Sequence, residues 1–88
     1  SLSLDVTQSY LNLTEAEKRL RISAVQVRNA QLSLDVTTER FRQELAIPLE
    51  LFDAQTQFAL ANTTQIRAFY GYKIAQHALD RAIGKAIR

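Results

Sequence analysis

The segment RQELAIPLELFDAQ, residues 42–55, decides the fold of this chain. It lies at the middle of 88 residues and contains Pro48, the only proline. A proline disfavours helical backbone angles in the residue before it, whereas the proline itself fits the first turn of a helix. We therefore expect Ile47 to be extended, the chain to turn back on itself, and a second helix to begin at Pro48.

A seven-residue repeat runs along the chain on each side of this break. Before the break, large apolar residues recur every seven positions, and a small residue follows three positions after each of the first five. These residues are Val6, Leu13, Leu20, Val27, Leu34 and Phe41, with Ser9, Ala16, Ser23, Ala30 and Thr37. After the break, the repeat consists of Ala54, Ala61, Ala68, Ala75 and Ala82, preceded by Leu51, Phe58, Gln65, Tyr72 and Leu79. One large and one small residue per heptad allow two helices to pack closely along a continuous seam.

The fold class predicted from these patterns is all-α, as a long antiparallel two-helix coiled-coil hairpin. Residues 1–88 form a single hairpin in this interpretation, with helix one at about 5–43, a tip at 44–48 and helix two at about 48–86. Asp5 followed by Gln8 predicts a capping box for helix one. Each helix has acidic residues near its start and basic residues near its end, which suits the helix dipole.

Composition excludes several classes of function. Without cysteine, and with His77 as the only histidine, the chain offers no metal site. It has no nucleophile elbow and no phosphate-binding glycine loop, so we predict neither an enzyme nor a cofactor. The net charge is only +2, and bases alternate with acids, which argues against nucleic acid as a partner. No apolar run approaches the ~20 residues of a membrane span.

A second set of apolar residues lies off the seam on both helices. It comprises Leu11, Ile22, Val25, Leu32 and Val36 on helix one, and Phe52, Leu60, Ile66, Phe69 and Ile74 on helix two. Two helices cannot cover these residues by packing on each other, so we expect an interface. Periodicity leaves two arrangements open, namely a four-helix dimer or bundle and a hairpin repeated around a ring.

The chain resembles the C-terminal helical repeat of TolC-type outer-membrane efflux proteins. The segments that carry the resemblance are VTQSYLNLTEAEKRL, ERFRQELAIPLELFDAQTQFALA and AFYGYKIAQHALDRAIGK. Residues that match the family's pattern are Arg40, Phe41, Leu49, Glu50, Asp53, Ala54, Gln55, Tyr70, Tyr72, Ala75, Leu79, Ala82 and Gly84. The match runs along nearly the whole chain, in order and with the expected spacings.

This resemblance implies a trimeric channel in which hairpins form a periplasmic α-barrel below an outer-membrane β-barrel. The chain would be the periplasmic portion of a Gram-negative outer-membrane protein, with no membrane span of its own. The family places acids that ring the tunnel constriction at the positions of Glu50 and Asp53. The tip of Glu44, Leu45, Ala46, Ile47, Pro48 and Leu49 would dock a periplasmic adaptor, also called a membrane fusion protein.

The tip departs from the family at two positions, because Glu44 replaces the usual glycine and Ile47 the usual serine or threonine. Simpler roles also remain open for the same residues. Glu50 and Asp53 suit the start of a helix by charge alone, and Leu45 and Leu49 would cover the hairpin end if the turn is locally packed. For the whole chain, the alternative is a structural or adaptor-protein coiled-coil hairpin that mediates protein–protein interaction without a pore.

Overall fold

Two long antiparallel helices make up the structure, a computed structural model that describes residues 2–87, with side chains from Ser3 onward. Helix α1 spans Leu2–Arg42 and helix α2 spans Pro48–Ile87. The helices pack on each other along their length, giving a rod of 66 × 13 × 13 Å. The described residues contain no strand. The all-α helical hairpin predicted from the sequence is therefore confirmed.

The helix ends agree with the charge pattern, but one predicted cap does not form. Helix α1 already includes Leu2, so Asp5 lies inside its first turn and not at its N-cap. The Gln8 side chain donates a hydrogen bond forward to Asn12 at 3.1 Å, which leaves the predicted Asp5–Gln8 capping box wrong. Helix α2 begins at Pro48, as the proline predicts.

The predicted heptad seam is the line along which the helices meet. Among the described side chains, only Ala16, Ser23, Ala54 and Ala82 are buried, and all four are small residues of the seam. Ser23 is 2% exposed, and its hydroxyl donates to the Leu20 carbonyl at 2.7 Å, so burial leaves no polar atom unsatisfied there. The larger seam residues flank this line, half-buried except for Phe41, and the helices are held at a distance set by alanine and serine.

Candidate functional site

The tip is a tight turn built by the last residues of α1. The Glu44 N–H donates to the Phe41 carbonyl at 3.0 Å, and the Leu45 N–H donates to the Arg40 carbonyl at 2.7 Å. These two bonds form a Schellman motif, in which the residue after the C-cap takes a left-handed conformation. That residue is Glu44, with φ of 62°. Glycine is the usual residue here, and a side-chain-bearing residue costs about 1–2 kcal/mol more in this conformation.

The start of α2 depends on backbone groups and on charge. Ile47 lies outside the helix, and its carbonyl accepts hydrogen bonds from the N–H groups of Glu50 at 3.1 Å and Leu51 at 3.5 Å. An isoleucine has no side-chain oxygen to cap the free N–H groups, unlike the serine or threonine of the family pattern. Pro48 needs no hydrogen bond for its nitrogen, and Glu50 places a negative charge in the first turn.

Arg40 links the two sides of the turn. Its Nη2 donates to the Leu45 carbonyl at 3.3 Å, and its Nη1 lies 3.6 Å from Glu50 Oε2. From the sequence, Arg40 is identified as a base near the end of α1 and as a match to the family's pattern, and neither contact is predicted. The available signal was a base before the break and an acid at a similar distance after it, which a hairpin brings together.

The two acids proposed for a constriction differ in their surroundings. Both lie exposed at the start of α2, three residues apart and so on neighbouring positions of one helix face. Glu50 is paired with Arg40, whereas Asp53 makes no ion pair or side-chain hydrogen bond with any described residue. The nearby base Arg42 is paired at 3.2 Å with Glu39 of its own helix and not with an acid of α2.

The apolar residues of the tip point into solvent. Leu45 is 64% exposed, Ile47 58% and Leu49 63%, while Ala46 is half-buried. Leu45 and Leu49 therefore do not fold over the end of the hairpin, and the alternative interpretation of a locally packed turn is wrong. The end of the rod presents an apolar surface with the carboxylates of Glu44 and Glu50 beside it.

The second apolar set is exposed on the outer side of each helix. Exposed fractions range from 44% at Phe69 to 70% at Ile74. On α1, these residues lie two or five positions after a large seam residue, which at about 100° per residue centres their stripe roughly 160° from the seam. On α2, all but Phe69 lie one or two positions after such a residue, roughly 180° from the seam. Each helix thus has one apolar stripe towards its partner and another on nearly the opposite side.

Other kinds of site find little support in residues 2–87. No group of three or more His, Cys, Asp or Glu residues there is placed to hold a metal ion. Neither helix, over the same residues, contains an apolar stretch long enough to cross a bilayer. An open groove of about 440 Å³ runs between the helices beside Arg19, Arg67 and Gly71, without enclosing walls.

A comparison with protein-family models matches residues 1–85 to the family described as Outer membrane efflux protein. No curated protein and no solved structure gives a match to the chain.

Proposed function

The chain belongs to the outer membrane efflux protein family, and from this premise we propose that it is a periplasmic hairpin of a trimeric efflux or secretion channel. Members of this family are channel and transport proteins of the outer membrane, not enzymes. In the proposal, the length of the hairpin forms part of a tunnel wall, and its tip docks a periplasmic adaptor protein.

The placement of the two apolar stripes is the observation that supports a wall. In a four-helix bundle each helix meets its two neighbours at roughly 90° to each other, as at the corners of a square. In a large ring each helix instead has neighbours on nearly opposite sides. Stripes separated by roughly 160–180° suit the ring, because both can be covered at once.

The exposed surface of the hairpin also favours assembly. Its accessible surface is 6742 Å², against about 5,200 Å² expected for a compact folded monomer of its mass, 10.0 kDa. Rows of exposed Leu, Ile and Phe contribute to this excess on both outer sides. Covering these rows by neighbouring helices stabilises the hairpin, at about 25 cal/mol for each Å² of apolar surface removed from water.

The tip suits contact with another protein more than contact with its own helices. Leu45, Ile47 and Leu49 are all more than half exposed around a turn that hydrogen bonds hold in one conformation. A preformed apolar end loses little conformational entropy on binding. In the proposal this end meets the helical tip of the adaptor, even though Glu44 and Ile47 differ from the family pattern.

Glu50 and Asp53 are proposed to contribute negative charge to a constriction near the tip. Threefold symmetry would repeat each carboxylate around the axis, and a ring of carboxylates favours cations over anions. This role is compatible with stabilisation of the α2 N-terminus by Glu50, since one charge can serve both purposes.

Crosslinking from the tip tests the proposal, because the 88 residues contain no cysteine. Ile47→Cys would be placed in the channel protein that contains this hairpin and treated in intact cells with a short crosslinker, with Thr14→Cys as a control distant from the tip. We expect Ile47→Cys to crosslink to a periplasmic adaptor and Thr14→Cys not to do so.

Other products would separate the parts of the proposal. Crosslinks only between copies of the channel protein would support the proposed tunnel wall and contradict docking of an adaptor at the tip. A folded protein without any crosslink at Ile47→Cys would favour the hairpin without a pore.

A further inference from the structure

We infer that Arg40 positions the tip and offsets part of the charge of Glu50, so that of the two acids proposed for the constriction Asp53 contributes more to the ion preference of the channel. The positioning role stands on the geometry of the turn, whereas the effect on ion preference rests on the proposed function. Neither the family match nor the sequence pattern assigns these roles to Arg40.

The positioning role follows from contacts with both backbone polar groups of one residue, Leu45. The Arg40 carbonyl accepts the Leu45 N–H at 2.7 Å, and its guanidinium donates to the Leu45 carbonyl at 3.3 Å. The same guanidinium reaches Glu50 on α2 at 3.6 Å. A planar guanidinium presents several N–H groups at once, so it can serve two acceptors in a way that a lysine ammonium does not reproduce.

The turn needs such support because its central residue is unfavourable. Glu44 is the only non-glycine residue with a positive φ among residues 2–87. Its left-handed conformation persists only if surrounding contacts offset the cost. Arg40 supplies contacts on both sides of the next residue, Leu45, and also holds the first turn of α2 against the end of α1.

The charges of the tip then divide into paired and unpaired groups. Arg40 pairs with Glu50, and Arg42 pairs with Glu39. Within the described residues, Glu44 and Asp53 have no such partner. Glu44 lies in the turn, so Asp53 is the unpaired carboxylate on the helical wall. The guanidinium beside Glu50 reduces the field that this carboxylate presents to a passing ion, whereas no described base lies beside Asp53 to do the same.

Amide hydrogen exchange in the 88-residue chain tests the positioning role. Arg40→Gln is expected to speed exchange of the Leu45 amide at least threefold, as the turn opens more often. Arg40→Lys keeps the positive charge but loses the planar guanidinium with its several N–H groups, so it is also expected to speed exchange of the Leu45 amide. Arg42→Gln is the matched control and should leave Leu45 unchanged. Unchanged Leu45 exchange in Arg40→Gln would overturn the role.

Ion permeability of the reconstituted channel protein tests the second role. We expect Asp53→Asn to lower the cation-to-anion permeability ratio several-fold, and Glu50→Gln to change it less than twofold. Arg40→Gln should raise the ratio by exposing Glu50, and adding Glu50→Gln should return it to near the original value. Equal losses in Asp53→Asn and Glu50→Gln would overturn the inference.

The two levels of proposal fail in different ways. A folded protein that carries no current in the bilayer overturns the channel function, and with it the ion-preference part, while Leu45 exchange still decides the positioning role. A channel with unaltered ion preference in Asp53→Asn overturns only the role of Asp53.

Discussion

The seam between the helices and their outer faces distribute side-chain size in opposite ways. At the seam, the buried residues are alanine and serine, with Ser23 the least exposed of them. On the outer faces, Leu32 is 57% exposed and Ile74 is 70% exposed. A self-sufficient domain normally buries its largest apolar residues first. The hairpin instead brings its helices close together and leaves much of its apolar surface exposed.

This difference separates two tasks of the sequence. Small residues at the seam fix the distance and register of the two helices, because only they fit where the backbones approach. Large residues outside contribute little while they stay in water, and they become stabilising when another helix covers them. The hairpin is therefore well specified in shape but weakly stabilised by its own contacts.

The seam is the more sensitive region, so Ser23→Leu should have the largest effect. Three extra carbon atoms at a position 2% exposed force the helices apart, and overpacking of this kind costs about 1–3 kcal/mol. Urea unfolding of the 88-residue chain measures the loss. Ala24→Leu makes a similar change at the next, exposed position and should alter stability by less than about 0.5 kcal/mol. Equal costs at both positions would contradict the seam as described.

Glu44→Gly should stabilise the hairpin by about 1 kcal/mol in the same measurement. Glycine adopts a φ of 62° without the steric cost of a Cβ, and the gain is partly offset by greater freedom of the unfolded chain. Gln43→Gly is the control, because Gln43 lacks a positive φ and should lose stability. A loss of stability in Glu44→Gly would show that contacts of the glutamate side chain outweigh the backbone cost.

Gly71→Ala should raise the stability of the hairpin by up to about 1 kcal/mol, the usual difference in helix propensity. A Cβ built at Gly71 meets nothing within 4 Å, so the isolated hairpin has room for it. Gly84→Ala meets equally open space but lies close to the end of α2, where we expect a smaller gain. If Gly71→Ala stabilises the hairpin yet weakens its assembly, a neighbouring helix approaches closely at Gly71.

Charge on the outer faces should have the smallest effect on the hairpin itself. Leu32→Asp and Ile66→Asp replace exposed side chains, so the free energy of unfolding of the monomer should change by only about 0.5 kcal/mol. Both variants should prevent association of the channel protein, because the interface would bury an unpaired charge. Sedimentation of the channel protein measures this association. Ala24→Asp, at an exposed position with no residue of the outer stripe three or four positions away, should change the monomer equally little and leave association intact. Intact assembly in both outer-face variants would remove the argument for a wall.

The sequence predicts the seam well because its information is local and periodic. Every buried side chain among the described residues falls on a seven-residue repeat that is visible in the sequence alone. The Arg40–Glu50 pair is harder to predict, because it exists only after the chain reverses at residues 43–47. The predicted cap at Asp5 was wrong although it relied on local sequence alone. A short capping pattern can occur inside a helix as well as at its start, and here the helix already includes Leu2.

The short connection between the helices also has a kinetic consequence. Arg40 and Glu50 meet after closure of a loop of few residues, whereas Asp5 and Lys85 line the same depression at the far end of the rod. Because longer loops cost more entropy to close, packing of the two helices is expected to start at the turn and proceed towards the far end of the rod. Substitutions at Arg40 should then change mainly the folding rate, and those near Asp5 mainly the unfolding rate.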